Sequence, residues 1–169
     1  MARYAGIAVL FVLSIVLQTT LFDFWKFAGV KPDLVLLLVI YFAFTNGPLK
    51  GALLGLLFGA LVDLQVGYNL GMYALAFVVA GFIAGWFETR MYKENLLIAL
   101  LVTFVTTVIS QEIIWFTGSV VGFNWDFKEN LRWILFLAIY NTCLVPFTYP
   151  WFHASITRGL LRYRPKHEK

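Results

Sequence analysis

The stretch LVLLLVIYFAFTNGPLKGALLGLLFGALVDL, residues 34–64, decides the fold. It holds 31 residues and only two charges, Lys50 and Asp63. As one helix rising about 1.5 Å per residue it would be roughly 46 Å long, well beyond the ~30 Å apolar core of a bilayer. Its middle carries Asn46-Gly47-Pro48, a turn sequence. Two short helices joined in a hairpin, about residues 32–44 and 49–64, therefore fit better than one long rod. Each is near or below the usual crossing length. Tilt, local thinning of the bilayer or a partly re-entrant hairpin would accommodate them.

The rest of the chain has the same character. Its 169 residues are 61% hydrophobic and 13% charged, and the mean hydropathy is +0.81. A water-soluble domain carries about 45–50% apolar and about 25% charged residues. A soluble enzyme, a disordered chain and a nucleic-acid-binding domain are excluded as whole-chain readings. The net charge of +4 does not restore the last of these, because five of the thirteen basic residues lie after Thr157.

The first apolar run, about residues 4–22, ends Gln18-Thr19-Thr20-Leu21-Phe22-Asp23 with no small-residue cleavage site, so it reads as an uncleaved span. Further runs cover about residues 70–87, 96–116 and 131–152. A charged break at 88–95 and a mixed loop at 118–130 separate them. The expectation is all-α: a polytopic membrane protein of one domain, residues 1–169, with a six-transmembrane-helix bundle and a basic tail at 153–169. With six spans, one side carries Arg3, Lys50, Arg90, Lys93, Arg158, Arg162, Arg164, Lys166 and Lys169. The other carries Lys26, Lys31, Lys128 and Arg132. The excess places both termini in the cytoplasm. The tail reads as this topology signal, with a weak added attraction to anionic lipid.

Small residues recur where helices would meet. Gly51, Gly55, Gly59 and Asp63 follow at four-residue steps, each a turn of about 400°, so they share one slowly drifting stripe. Ala76, Ala80, Ala84, Gly81 and Gly85 repeat the theme in the next span. Such stripes let backbones approach closely where lipid is as apolar as leucine. Packing inside the bundle is favoured over a dimer face.

Polar groups at membrane depth are costly and need a partner or a role. Asp63, at the end of its helix, reads as an interfacial residue that caps nothing and faces water. Glu112 and Arg132 lie at similar depth in the last two spans, and an ion pair accounts for both. Gln18, Gln111 and Asn141 supply neutral groups for bonds between helices. The sharper alternative is a ligand or proton site lined by Asp63, Glu112 and Asn141. Pro32-Asp33 suits a helix start, with proline at the first position and aspartate at the positive end of the dipole. Trp25, Trp86, Trp115, Trp125, Trp133 and Trp151 fit an interfacial belt. Cys143 is the single cysteine and reads as a buried hydrophobe. His153 and His167 have no nearby ligand partners. No nucleophile elbow, zinc-protease or phosphate-loop motif is present, so no enzyme activity, cofactor or metal is expected.

In order, Lys31-Pro-Asp-Leu-Val-Leu-Leu-Leu-Val-Ile-Tyr-Phe-Ala-Phe, then Gly47-Pro-Leu-Lys-Gly-Ala-Leu-Leu-Gly-Leu-Leu-Phe-Gly-Ala-Leu-Val-Asp63, then Gly71-Met-Tyr-Ala-Leu, resemble the MreD family of bacterial rod-shape-determining membrane proteins. The Pro32-Asp33 opening and the glycine ladder ending in Asp63 carry the likeness, over about residues 31–88. Beyond Glu88 only hydropathy matches, so Glu112, Arg132 and Asn141 gain nothing from it. The resemblance implies a non-enzymatic protein of the bacterial cytoplasmic (inner) membrane, in the complex that builds the lateral peptidoglycan wall and maintains cell shape. Its implied partners are MreC and, through it, the actin-like MreB and a glycosyltransferase–transpeptidase pair; a homo-oligomer stays open. MreD-like folds are similar to the substrate-binding subunits of energy-coupling-factor vitamin transporters, so the alternative is a small-molecule-binding transport subunit.

The charge asymmetry makes a direct prediction. Reporter fusions at Lys169 and within residues 118–130 should report opposite sides of the membrane, with Lys169 cytoplasmic. Both on one side would sink the six-span topology.

Overall fold

The chain turns where Asn46-Gly47-Pro48 predicts. In the computed structural model Gly47 adopts φ 86°, closing one helix and opening the next, and its N–H donates to the Ala43 carbonyl at 2.9 Å. A positive φ is cheap only for glycine. Pro48 then stands in the first helical turn, where its missing N–H would have had no intrahelical partner.

The structure describes residues 2–24, 29–67, 71–91, 96–123 and 126–157. Among the described residues six helices follow in order: α1 (Ala2–Phe24), α2 (Leu34–Asn46), α3 (Pro48–Val66), α4 (Met72–Met91), α5 (Leu96–Val120) and α6 (Phe127–Thr157). The architecture is all-α. The tail at 158–169 with its basic residues and His167, the loop residues Lys26 and Lys93, and Trp25 and Trp125 lie outside the described residues.

Several bounds differ from the hydropathy reading, because backbone hydrogen bonding does not stop where apolar residues do. α2 begins at Leu34, which puts Pro32 before the cap rather than at the first helical position. α4 runs on through the charges Glu88 and Arg90 to Met91. α6 starts at Phe127, four residues early. There the Asn130 N–H reaches the Asp126 carbonyl at 2.9 Å, and Glu129 favours the positive helix end. Pro146 and Pro150 lie within α6.

Among the described residues three helical segments, Pro48–Val66, Leu96–Val120 and Phe127–Pro150, are long and apolar enough to cross a membrane. Gly6–Phe22, Leu34–Asn46 and Met72–Phe87 are apolar but shorter. The short α2 is the centre of the bundle. It touches all five other helices, and from Val35 to Tyr41 every residue is buried. A helix apolar all round is stable only when covered all round. The outer helices instead present leucine-rich faces, such as Leu53, Leu56, Leu57 and Leu64 of α3. That is the arrangement suited to a lipid surround.

The α3–α4 pair is the most extensive contact in the bundle. Glycine removes the side chains that would hold these helices apart. A Cβ on Gly51 would stand 2.5 Å from the Gly81 carbonyl oxygen, and one on Gly59 2.5 Å from that of Tyr73. On Gly55 it would fall on the Phe77 carbonyl, and on Gly85 it would lie 2.5 Å from Pro48 Cα. The obstacles are backbone, which cannot rotate aside. α1 is held more loosely, by Ile7 and by Phe11, whose ring stacks on Phe58 of α3 at 4.4 Å.

Gly55→Ala should therefore force α3 and α4 apart and lower stability by roughly 1–3 kcal/mol, the usual range for overpacking. Leu56→Ala, on the half-exposed outer face, should stay within about 0.5 kcal/mol. Thermal unfolding of the two variants in detergent checks this. Equal melting temperatures would show that the close approach is not required.

Candidate functional site

The polar groups of the spans do not gather in one place. Two ties between helices and one open cleft lie toward the bundle end where α1, α3 and α5 finish and α2, α4 and α6 begin, and a further hydroxyl contact lies lower.

The first tie is Asp63. Far from facing water, it is 3% exposed. Its carboxylate accepts from the backbone N–H of Gly71 at 2.9 Å, Tyr73 at 3.0 Å and Ala74 at 3.0 Å. The first N–H groups of a helix have no intrahelical acceptor. Asp63 supplies one from the last turn of α3, and its charge complements the positive end of the α4 dipole. Gly67, in the left-handed conformation at φ 73°, turns the chain beside it and donates to the Asp63 carbonyl.

The second tie joins α2, α5 and α6. Asp33 caps α2, its Oδ1 accepting from the Leu36 N–H at 2.9 Å. The Asp33 N–H donates to Asn141 Oδ1 at 2.9 Å, and Asn141 Nδ2 donates to Thr107 Oγ1 at 3.3 Å. Asn141 and Thr107 are fully buried. Lower in the bundle, the Tyr41 hydroxyl meets that of Thr148 at 2.7 Å, again linking α2 to α6. Thr107 and Thr148 were not singled out in the sequence. The signal for Thr107 was there: Thr103, Thr106, Thr107, Ser110 and Gln111 share one helical face of α5, and all are buried.

The expected Glu112–Arg132 ion pair is not formed. On α6 the buried positions are Ile134, Leu137, Ala138, Asn141 and Val145. Arg132 lies two residues before Ile134, about 200° around the helix, and so points outward. Its guanidinium lies 5.6 Å from the centre of the Phe136 ring. Glu112 is half-buried beside the inward-facing Gln111. Asp63, Glu112 and Asn141 line neither of the two cavities at this end. Cys143, expected inside, is exposed on α6.

The cleft is built by other residues. An inner cavity of about 210 Å³ is lined by residues from all six helices or the segments that lead into them, among them Gln18, Lys31, Asp33, Tyr73, Gln111 and Trp133. An outer cavity of about 430 Å³ adjoins it between α4, α5 and α6. Tyr73, Gln111 and Trp133 line both. Trp133, read from sequence as part of a belt, and Gln111, read as an interhelical bond, are thus cleft walls.

A bundle of apolar helices whose polar groups are tied internally at one end defines a helical membrane protein. The chain belongs to the MreD family: the family described as rod shape-determining protein MreD matches residues 2–155. No curated protein and no solved structure matches the chain.

The Asp63 tie is testable. Asp63→Ala leaves the Ala74 N–H, which water reaches poorly, without an acceptor, at a cost of about 1–3 kcal/mol. Asp63→Asn keeps one acceptor oxygen and should lose less. Unfolding midpoints ordered wild type, Asn, Ala would agree; an Ala variant as stable as wild type would not.

Proposed function

We propose that this protein is a non-enzymatic subunit of the bacterial rod complex, spanning the inner membrane six times with both termini cytoplasmic. In this reading it helps organise lateral peptidoglycan synthesis by binding MreC and, through MreC, MreB and the wall-synthesis glycosyltransferase–transpeptidase pair. The observation that carries it is the family match over residues 2–155. The three long apolar helices and three shorter ones support the membrane reading. The short α2, enclosed by the other five, completes a crossing through its capped N-terminus and the Gly47 turn.

A scaffold of this kind needs rigidity more than chemistry. The α3–α4 backbone contact supplies a stiff wall, and the Asp33–Asn141–Thr107 tie fixes α2 against α5 and α6. The leucine-rich outer faces leave ample area for a partner's membrane helix. The six-helix arrangement with a cleft at one end also favours the likeness to transporter substrate-binding subunits, and that is the second reading.

Purification from native membranes in mild detergent separates the two. Co-elution of MreC with the full chain, and cell rounding on depletion, are the results expected. Recovery with an ATPase pair and no MreC would overturn the scaffold reading.

A further inference from the structure

The cleft has features that neither helix packing nor a scaffold role explains. Gln111 is 5% exposed and lines both compartments, yet its carboxamide makes no hydrogen bond to any described residue. A carboxamide offers two donors and two acceptor sites. Its amide atoms open onto the cavity, so whatever occupies the cleft, water or ligand, is what meets them. Asn141, fully buried on α6, uses both ends of its amide.

Lys31 lines the inner compartment beyond Gln111, whereas the outer compartment carries acidic and aromatic walls. The outer compartment is lined by the aromatic residues Tyr73, Trp115 and Trp133, by the carboxylates of Asp126 and Glu129, and by no cation. Neither carboxylate is ion-paired among the described residues. The start of α6 alone would account for acids at these positions through the helix dipole. It does not account for an unpartnered Gln111 facing them, nor for the aromatic walls between. Carboxylates repel an anion. Together with aromatic residues they attract a cation, through charge and through the negative ring faces. The Gln111 carbonyl adds an acceptor for N–H.

We propose that this cleft binds a small organic ammonium, with Asp126 and Glu129 at its mouth, Tyr73 and Trp133 along its walls, and Gln111 at its floor. The ammonium is either that of a free amine or that of a lipid headgroup; the recognition chemistry is the same. The proposal does not rest on the rod-complex reading, and its test contains no partner protein.

The test uses the full chain in lipid nanodiscs. The water-borne probe is 2-phenylethylammonium, with 2-phenylethanol as its uncharged counterpart, titrated by calorimetry. The lipid-borne probe is phosphatidylethanolamine, set against phosphatidylglycerol and scored by native mass spectrometry. Saturable binding of the ammonium but not the alcohol, or selective retention of phosphatidylethanolamine, is expected, and which of the two occurs names the source. The Asp126→Asn, Glu129→Gln double variant should bind at least ten-fold more weakly. Gln111→Leu should bind at least three-fold more weakly with an unchanged unfolding midpoint, since Gln111 holds no other residue. Should Gln111→Leu fail to fold, the exposed double variant still decides. Equal binding of alcohol and ammonium, undiminished binding by the double variant, or no binding of either probe would overturn the proposal.

Discussion

The close backbone contact between α3 and α4 is the constraint on which the remaining packing depends. In an apolar surround there is no hydrophobic gain from bringing helices together, so association rests on dense contact and on polar bonds. Gly51, Gly55 and Gly59 on one side and Gly81 and Gly85 on the other let main chain meet main chain. α2 packs against both helices of this pair. The small residues Ala76, Ala80 and Ala84, all fully buried, line the α4 face of the core.

Backbone polarity imposes the second condition. Helix ends buried in an apolar medium leave N–H groups that water cannot serve. This chain answers with two aspartates used in different ways. Asp33 caps its own helix, whereas Asp63 reaches from the end of one helix to the start of the next. Both acids that carry the family resemblance therefore have a structural employment. The polar contacts of Asn141 and Thr107 extend the Asp33 cap across the bundle, so the end opposite the termini is braced by directional bonds.

A braced end can support an open cleft without collapsing into it. Deeper in the bundle the interior is filled by Val, Ile, Leu and Phe side chains of α2 and α4. Near the braced end the filling stops, and Gln111, Tyr73 and Trp133 face two cavities. In the function proposed above, a ligand in the cleft would contact the same helices whose outer faces are offered to a partner. Ligand and scaffold roles are thus compatible in one bundle, since they use its end and its sides.

Composition and hydropathy by themselves determined the all-α class, the number of helices and the turn at Gly47-Pro48. Those properties depend on local chemistry: apolar runs of fixed length, glycine's freedom at positive φ, proline's missing donor. The four-residue glycine spacing and the polar face of α5 are equally local and equally readable. What only tertiary structure decided is which faces meet. Helix rotation turned Arg132 outward, away from Glu112. It brought Asp33 to Asn141, 108 positions away in the chain. Asp63 looked like a residue at a wet helix end because the sequence does not say that α4 begins beside it. Gln111 and Asn141 are both amides on apolar spans, indistinguishable by composition. Asn141 is bonded at both ends of its amide and Gln111 is left open to a cavity, because bonding and void depend on the neighbours that the folded chain places around each.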